Sequence, residues 1–198
     1  MAKKKRTPYR KRDVASRFTL SYGPDILQHA GPYIPATLTI QEGLAAQLSK
    51  ESKPLPPPVA GQVLLDTGAQ RTCISQLAAQ EMGLRPTKRM TVYGAGGAHQ
   101  TDVVPARLYI SIEDRGIQTH LWWDMAFPVV PDLEAHGQHF GIRFEGVPAR
   151  LIGLLGRDIL RNATVTYNGK TGKVEVTFDR QWIRDRSVTP PVRPSSST

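Results

Sequence analysis

Residues 61–75 read GQVLLDTGAQRTCIS. An apolar run, Val63-Leu64-Leu65, stops abruptly at Asp66-Thr67-Gly68, and a second strand-like triplet, Thr72-Cys73-Ile74, follows. Short apolar runs bounded by turn residues fit buried strands. An ionised carboxylate at the end of such a strand is costly unless it is paired or hydrogen-bonded. Gly68 permits a turn that leaves peptide N–H groups free to point back at the carboxylate, and the Thr67 hydroxyl is placed to fix the loop. The stretch therefore presents one rigid carboxylate. Two such carboxylates face to face cannot both ionise, so they share a proton. One then acts as base on a trapped water and the other as acid toward a carbonyl oxygen. Taken alone, the tripeptide reads more readily as a β-turn, and the rest of the chain has to decide.

Outward from this loop, the pattern is that of strands. Residues 34–40, IPATLTI, alternate and are rich in β-branched types, which predicts a strand. Residues 41–52 predict a short helix, and the proline-rich 53–58 must be extended or turning. Val59–Leu65 is the strand that delivers Asp66. Ser75 is placed to cap a helix SQLAAQEM that Gly83 closes. Residues 89–104 predict a hairpin with a glycine-rich tip at 94–98. Residues 107–113 alternate strictly, 114–116 form a turn, and 117–130 return as a strand. Residues 131–148 read as irregular. The segment RLIGLLGRDILRNA predicts an apolar strand and a short helix, and residues 163–178 predict two strands joined at 168–172.

The 198 residues suffice for one domain with a full core, and 39% apolar content with 17 glycines and 16 prolines favours a loop-rich β protein over a helical bundle. No apolar run reaches the ~18 residues of a membrane span, so no membrane contact is expected. The basic N-terminus has no apolar segment behind it, so no signal peptide is expected. A single cysteine, Cys73, excludes an internal disulfide and suits a reducing, cytoplasmic setting. The net charge of +9 lies mostly in the first twenty residues, where Lys3, Lys4, Lys5, Arg6, Arg10, Lys11, Arg12 and Arg17 face only Asp13. Nucleic-acid contact is therefore expected, if at all, only through this tail, and as phosphate neutralisation.

Three segments, in order, resemble the retropepsin-like (retroviral-type) aspartic proteases. Leu64-Leu65-Asp66-Thr67-Gly68-Ala69 is similar to the catalytic loop, Tyr93-Gly94-Ala95-Gly96-Gly97 to the tip of the flap, and Leu154-Leu155-Gly156-Arg157-Asp158-Ile159-Leu160 to the hydrophobic-Gly-Arg segment and its helix. The resemblance implies an all-β fold, a mainly antiparallel closed barrel with one or two short helices. It implies that Asp66 is catalytic, that Thr67, Gly68, Ala69, Gly156 and Arg157 support the active-site loop, and that Tyr93, Gly94, Ala95, Gly96 and Gly97 close over a polypeptide substrate. It implies neither a cofactor nor a metal. The chain holds no second Asp-Thr-Gly or Asp-Ser-Gly, so a dyad requires a homodimer with Asp66 of each copy on the two-fold axis. The resulting division is a basic tail at 1–17, an N-terminal extension at 18–30, the protease domain at 31–180 and a Pro/Ser-rich tail at 181–198.

The chain departs from the retroviral pattern in places. Those relatives carry an Asp after the loop that pairs with the Gly-Arg arginine; here Gln70 stands there, so Arg157 must find another partner. Residues 131–148 read as an insertion, and the hairpin at 163–178 replaces a short terminal strand. Ala69 brings no hydroxyl to the carboxylate pair, so activity is expected to extend to mildly acidic or near-neutral pH. Two other readings stand beside the enzyme: a catalytically silent protein-binding module of the same fold, and a protease domain from a mobile-element polyprotein.

Other signals are weaker. Gly94–Gly97 lacks both the third glycine of a dinucleotide loop and a following Gly-Lys-Ser/Thr. His136 and His139 have no supporting ligand pattern and read as solvated loop residues. Cys73 has no adjacent base and reads as a packed thiol. Trp122 and Trp123, adjacent in a strand, must point to opposite faces, one to the core and one to a groove or partner.

Overall fold

The computed structural model describes residues 16–22, 24–94, 97–114, 117–135, 143–144, 147–148 and 150–178. Its centre is a closed, mostly antiparallel barrel. The strands are β2 (Tyr33–Thr39), β3 (Val59–Leu65), β4 (Cys73–Ser75), β6 (Gly97–Asp114), β7 (Ile117–Val130) and β10 (Leu151–Leu155). They run in the order β2-β3-β10-β4-β7-β6, and β6 pairs back onto β2 to close the ring. Only β3–β10 and β4–β7 run parallel. The remaining short strands are β1 (Ser16–Ser21), β5 (Lys88–Gly94), β8 (Arg143–Phe144), β9 (Val147–Pro148), β11 (Ala163–Asn168) and β12 (Lys173–Phe178). Short helices α1 (Pro24–Ala30), α2 (Glu42–Lys50), α3 (Gln76–Glu81) and α4 (Arg157–Leu160) lie between them.

Period-two alternation explains the barrel interior. Ile34, Ala36 and Leu38 of β2, Val63 and Leu65 of β3, and Val104, Ala106, Leu108 and Ile110 of β6 are all buried in one core with Phe127, Ile152 and Leu155. Each large side chain so buried contributes about 1.5–3 kcal/mol. The predicted strand at 107–113 is part of the longer β6, which pairs with β5 from Gly97 to Val103 and with β7 from Val103 to Asp114. On the opposite face of β6, Arg107 is 5% exposed. Its guanidinium meets Asp124 through two bonds of 2.6 and 2.5 Å and reaches Glu42 at 3.1 Å, which ties α2 to the barrel. Trp122 lies beneath that guanidinium at 4.4 Å, while Trp123 packs on Phe178 at 5.7 Å. Trp123 is thus the core residue of the pair, and Trp122 covers a buried cation instead of a groove.

The predicted strands at 34–40, 59–65 and 117–130, the Ser75-capped helix and the C-terminal hairpin all form, with Ser75 Oγ accepting from Ala78 N at 3.3 Å. The N-terminal segment differs from expectation. Ser16 and Arg17, placed in the predicted tail, begin β1, which pairs along β12 from Ser16↔Phe178 to Ser21↔Lys173. Within the predicted extension, α1 buries Leu27 and Ala30. Leu27, with the partly buried Leu20 and Tyr22, therefore packs into the core of the barrel. The signal of this segment in the sequence was weak because β1 is short and carries Arg17, and because Leu20 is only partly buried. A second sheet, β1-β12-β11, packs Val174, Val176 and Phe178 into the same core. Gly172, at φ +67, turns this hairpin where a Cβ would fall 2.1 Å from Tyr22 O.

Candidate active site

Asp66 follows the last residue of β3, and its N–H donates to Leu155 O of the neighbouring β10 at 3.1 Å. The loop then turns back on the carboxylate. Gly68 N donates to Asp66 Oδ1 at 2.8 Å and Ala69 N at 3.1 Å. Among the described residues, Oδ2 takes no protein donor. Asp66 is half-buried, whereas Thr67 and Gly68 are exposed. The Thr67 hydroxyl makes no hydrogen bond among the described residues.

The segment after β10 clamps this loop from behind. Arg157 Nη1 donates to Thr67 O at 2.7 Å and to Gly68 O at 3.1 Å, and Arg157 N donates to Ala69 O at 3.0 Å. This answers the missing acid at position 70. The guanidinium is satisfied by loop carbonyls, and Gln70 is exposed. Gly156 makes the approach feasible, since a Cβ there would lie 2.4 Å from Arg71 C and 2.7 Å from Thr72 N.

Sequence reasoning missed two residues of this arrangement. Thr72, 1% exposed, gives both its N–H and its hydroxyl to Asp158 Oδ1, at 2.8 and 2.6 Å. The same hydroxyl accepts from Gly156 N at 3.0 Å, and Ile159 N adds a third donor to Asp158 Oδ1 at 3.0 Å. The signal was present, because an acidic residue in the first turn of a helix is a natural acceptor of backbone N–H groups.

Cys73 is buried. Burial pushes its thiol up to about 12, the Asp66 and Asp158 carboxylates add to the rise, and a backbone hydrogen bond at Leu154 opposes it. That is a packed thiol with no nucleophilic character at neutral pH.

The predicted flap is the β5–β6 hairpin, whose pairs run from Lys88↔Val103 to Gly94↔Gly97. Arg89–Asp102 at 2.9 Å and Gln100–Thr91 at 2.8 Å brace it. Tyr93 is 83% exposed beside the tip, and Ala95 and Gly96 lie outside the described residues. The structure thus brings Asp66, Thr67, Gly68, Ala69, Gly156 and Arg157 together and sets Tyr93, Gly94 and Gly97 on a separate hairpin. Among the described residues no cluster of His, Cys, Asp and Glu could hold a metal, and no helix is long and apolar enough to cross a membrane. His136 and His139 lie outside the described residues.

A family model described as aspartyl protease matches residues 58–159, just over half of the chain, and so takes in β3, the Asp66 loop, the hairpin and the start of α4. No curated protein matches the chain.

Proposed function

The chain belongs to the aspartyl protease family, of the retropepsin-like clan, and we propose that it is an endopeptidase whose catalytic dyad is Asp66 of two identical copies. The observation that carries this reading is the Asp66 loop. One carboxylate oxygen is fixed by Gly68 N and Ala69 N, and the loop is held from behind by Arg157. A carboxylate so held is preorganised, and the opposite oxygen is left for a water and for the second Asp66. The chain supplies no second Asp-Thr-Gly, so the other half of the site comes from a partner copy.

In this mechanism the two Asp66 carboxyls share one proton. The ionised one takes a proton from a water held between them, and the water oxygen attacks the substrate carbonyl carbon. The protonated one gives its proton to the carbonyl oxygen, forming a tetrahedral diol. Collapse of the diol breaks the C–N bond: the now protonated Asp66 gives its proton to the departing nitrogen while the ionised Asp66 takes one from a diol hydroxyl, which restores the shared proton. The exposed Thr67 hydroxyl would bond across to the partner loop. Tyr93, Gly94, Ala95, Gly96 and Gly97 would close over a polypeptide substrate and exclude water. Arg157's bonds to the loop carbonyls support catalysis over the silent binding module, because they supply the loop support that the missing acid at position 70 would otherwise give; the insertion at 131–148, the other feature that favours the module, is not addressed by them.

The test is cleavage of a mixed peptide library from about pH 4 to 7.5 by the wild type and by Asp66→Asn. The expected result is cleavage that extends toward neutral pH, rises faster than linearly with protein concentration, and disappears in the variant. Turnover that survives Asp66→Asn would refute the assignment.

A further inference from the structure

Between α2 and β3 the chain reads Lys53-Pro54-Leu55-Pro56-Pro57-Pro58. Four of these six residues carry a ring that locks φ near about −65° and removes the N–H. Lys53, Leu55, Pro56 and Pro57 each precede a proline, which drives them to extended backbone as well. No peptide bond among the described residues is cis. The segment is thereby held as a polyproline II helix, with about three residues per turn. That period sets Pro54 and Pro57 on one edge, and both are exposed, while Pro56 and Pro58 are half-buried. Leu55, between the two exposed rings, is 51% exposed. Among the described residues no backbone hydrogen bond ties 54–58 to the rest of the chain, so their carbonyls stay open as acceptors. The rings are not needed to stop α2, which already ends at Lys50.

We propose that residues 53–58 are a docking site for a protein module whose aromatic-lined groove takes a polyproline II helix. A proline edge of this spacing seats its rings between aromatic side chains, and the open carbonyls accept from a tryptophan N–H or tyrosine O–H of such a groove. A segment already fixed in the bound conformation loses little freedom on binding. The two directions of a polyproline II helix present similar edges, and a charge at one end tells them apart. Lys53 stands at the N-terminal end with its side chain 62% exposed. Its ion pair with Glu51, at 2.7 Å, lies in water, where such a pair is worth little. An acidic residue beside the partner's groove can therefore take Lys53 and set the direction. The site also leaves the chemistry accessible. β3 runs from Val59 to Leu65, so the segment and Asp66 stand at opposite ends of one strand, about 20 Å apart. A module seated on 53–58 would recruit the chain to a partner without covering the Asp66 loop.

The experiment titrates the full chain into purified SH3, WW and EVH1 domains, read by the fluorescence anisotropy of a dye on each domain. The wild type is expected to bind at least one of them. Pro54→Ala/Pro57→Ala is expected to weaken that binding at least about tenfold. Both positions are exposed, and circular dichroism checks that the variant is folded; should it fail to fold, Pro57→Ala alone carries the test. Pro190→Ala/Pro191→Ala, in the Pro/Ser-rich tail, should leave the binding unchanged. Lys53→Glu should weaken it about threefold, and a Lys53→Glu chain that binds as the wild type does overturns the acidic flank of the groove. A wild type that binds none of the domains overturns the proposal. So does a Pro54→Ala/Pro57→Ala chain that binds within about twofold of the wild type, or a loss confined to the tail variant, which would move the contact to 181–198. Binding is read without turnover, so a chain that docks through 53–58 and cleaves no peptide upholds this site while the protease reading fails.

Discussion

The Thr72 hydroxyl donates to Asp158 Oδ1 over 2.6 Å while it accepts from Gly156 N over 3.0 Å. One side chain thus links the strand after the Asp66 loop to the glycine turn before α4. The Thr72 N–H converges on the same Asp158 oxygen, so the carboxylate satisfies two donors of an almost fully buried residue. Removing it strands both, and a buried donor without a partner costs its full desolvation. Asp158→Ala is expected to destabilise the fold by about 2–3 kcal/mol, and Asp158→Asn, which keeps Oδ1, by about 1 kcal/mol. Urea titration measures both, and an alanine variant as stable as the wild type would sink the idea.

Arg157 holds the Asp66 loop itself, through Thr67 O and Gly68 O. Its side chain is exposed, so little stability depends on it. Its contribution is loop position. A misplacement of a fraction of an ångström at a reacting group is expensive in rate. Arg157→Ala is expected to lower kcat/KM by about tenfold to a hundredfold with an unchanged circular dichroism spectrum. Arg157→Lys should recover only part, since an ammonium lacks the planar fork. Full activity in Arg157→Ala would show that the loop holds itself.

Cys73 lies between the two motifs and is shut in by both. Burial drives its thiol to about 12, and the carboxylates Asp66 and Asp158 push the same way. The native protein at about pH 8 should therefore leave an aromatic disulfide reagent unreacted, and denaturation in urea should release one thiol per chain. Rapid reaction of the folded protein would mean that the strand bearing Cys73 opens readily.

The barrel was legible wherever one strand carried its own burial pattern. Ile34, Ala36 and Leu38 alternate in β2, and Val104 to Ile110 alternate in β6, so composition alone separates their two faces. The Asp66 loop was legible because a carboxylate ending an apolar run has few inexpensive structural explanations. The Thr72–Asp158 link was legible at one end only: Asp158, in the first turn of a helix, signals an acceptor, but nothing local points to Thr72, 86 positions away. The fate of Arg157 was hidden for another reason: its partners are carbonyls, which every sequence supplies everywhere. β1 escaped because it forms against β12, a partner that the local sequence does not announce.

Arg150 gives the fold a dependence on acid. Its guanidinium makes two bonds of 2.7 Å to Glu81 at the end of α3 and one of 2.6 Å to the buried Glu134, which Ser75 Oγ also reaches at 2.7 Å. The Arg150 hydrogen bonds hold the Glu81 carboxyl below its ordinary value of 4.5. A carboxyl depressed in the folded state adds stability that is fully present above the unfolded value and is lost as pH falls through the folded one. The Glu81 side chain is 54% exposed, so solvent screens the pair and its worth is about 0.5 kcal/mol. Wild type should therefore exceed Glu81→Gln by a constant difference in urea midpoint near neutral pH, and the gap should close in acid as the pH falls through the lowered Glu81 value and the wild-type carboxyl takes up its proton. A gap that persists unchanged at the lowest pH would place the stabilisation in packing of α3 and not in the charge of Glu81.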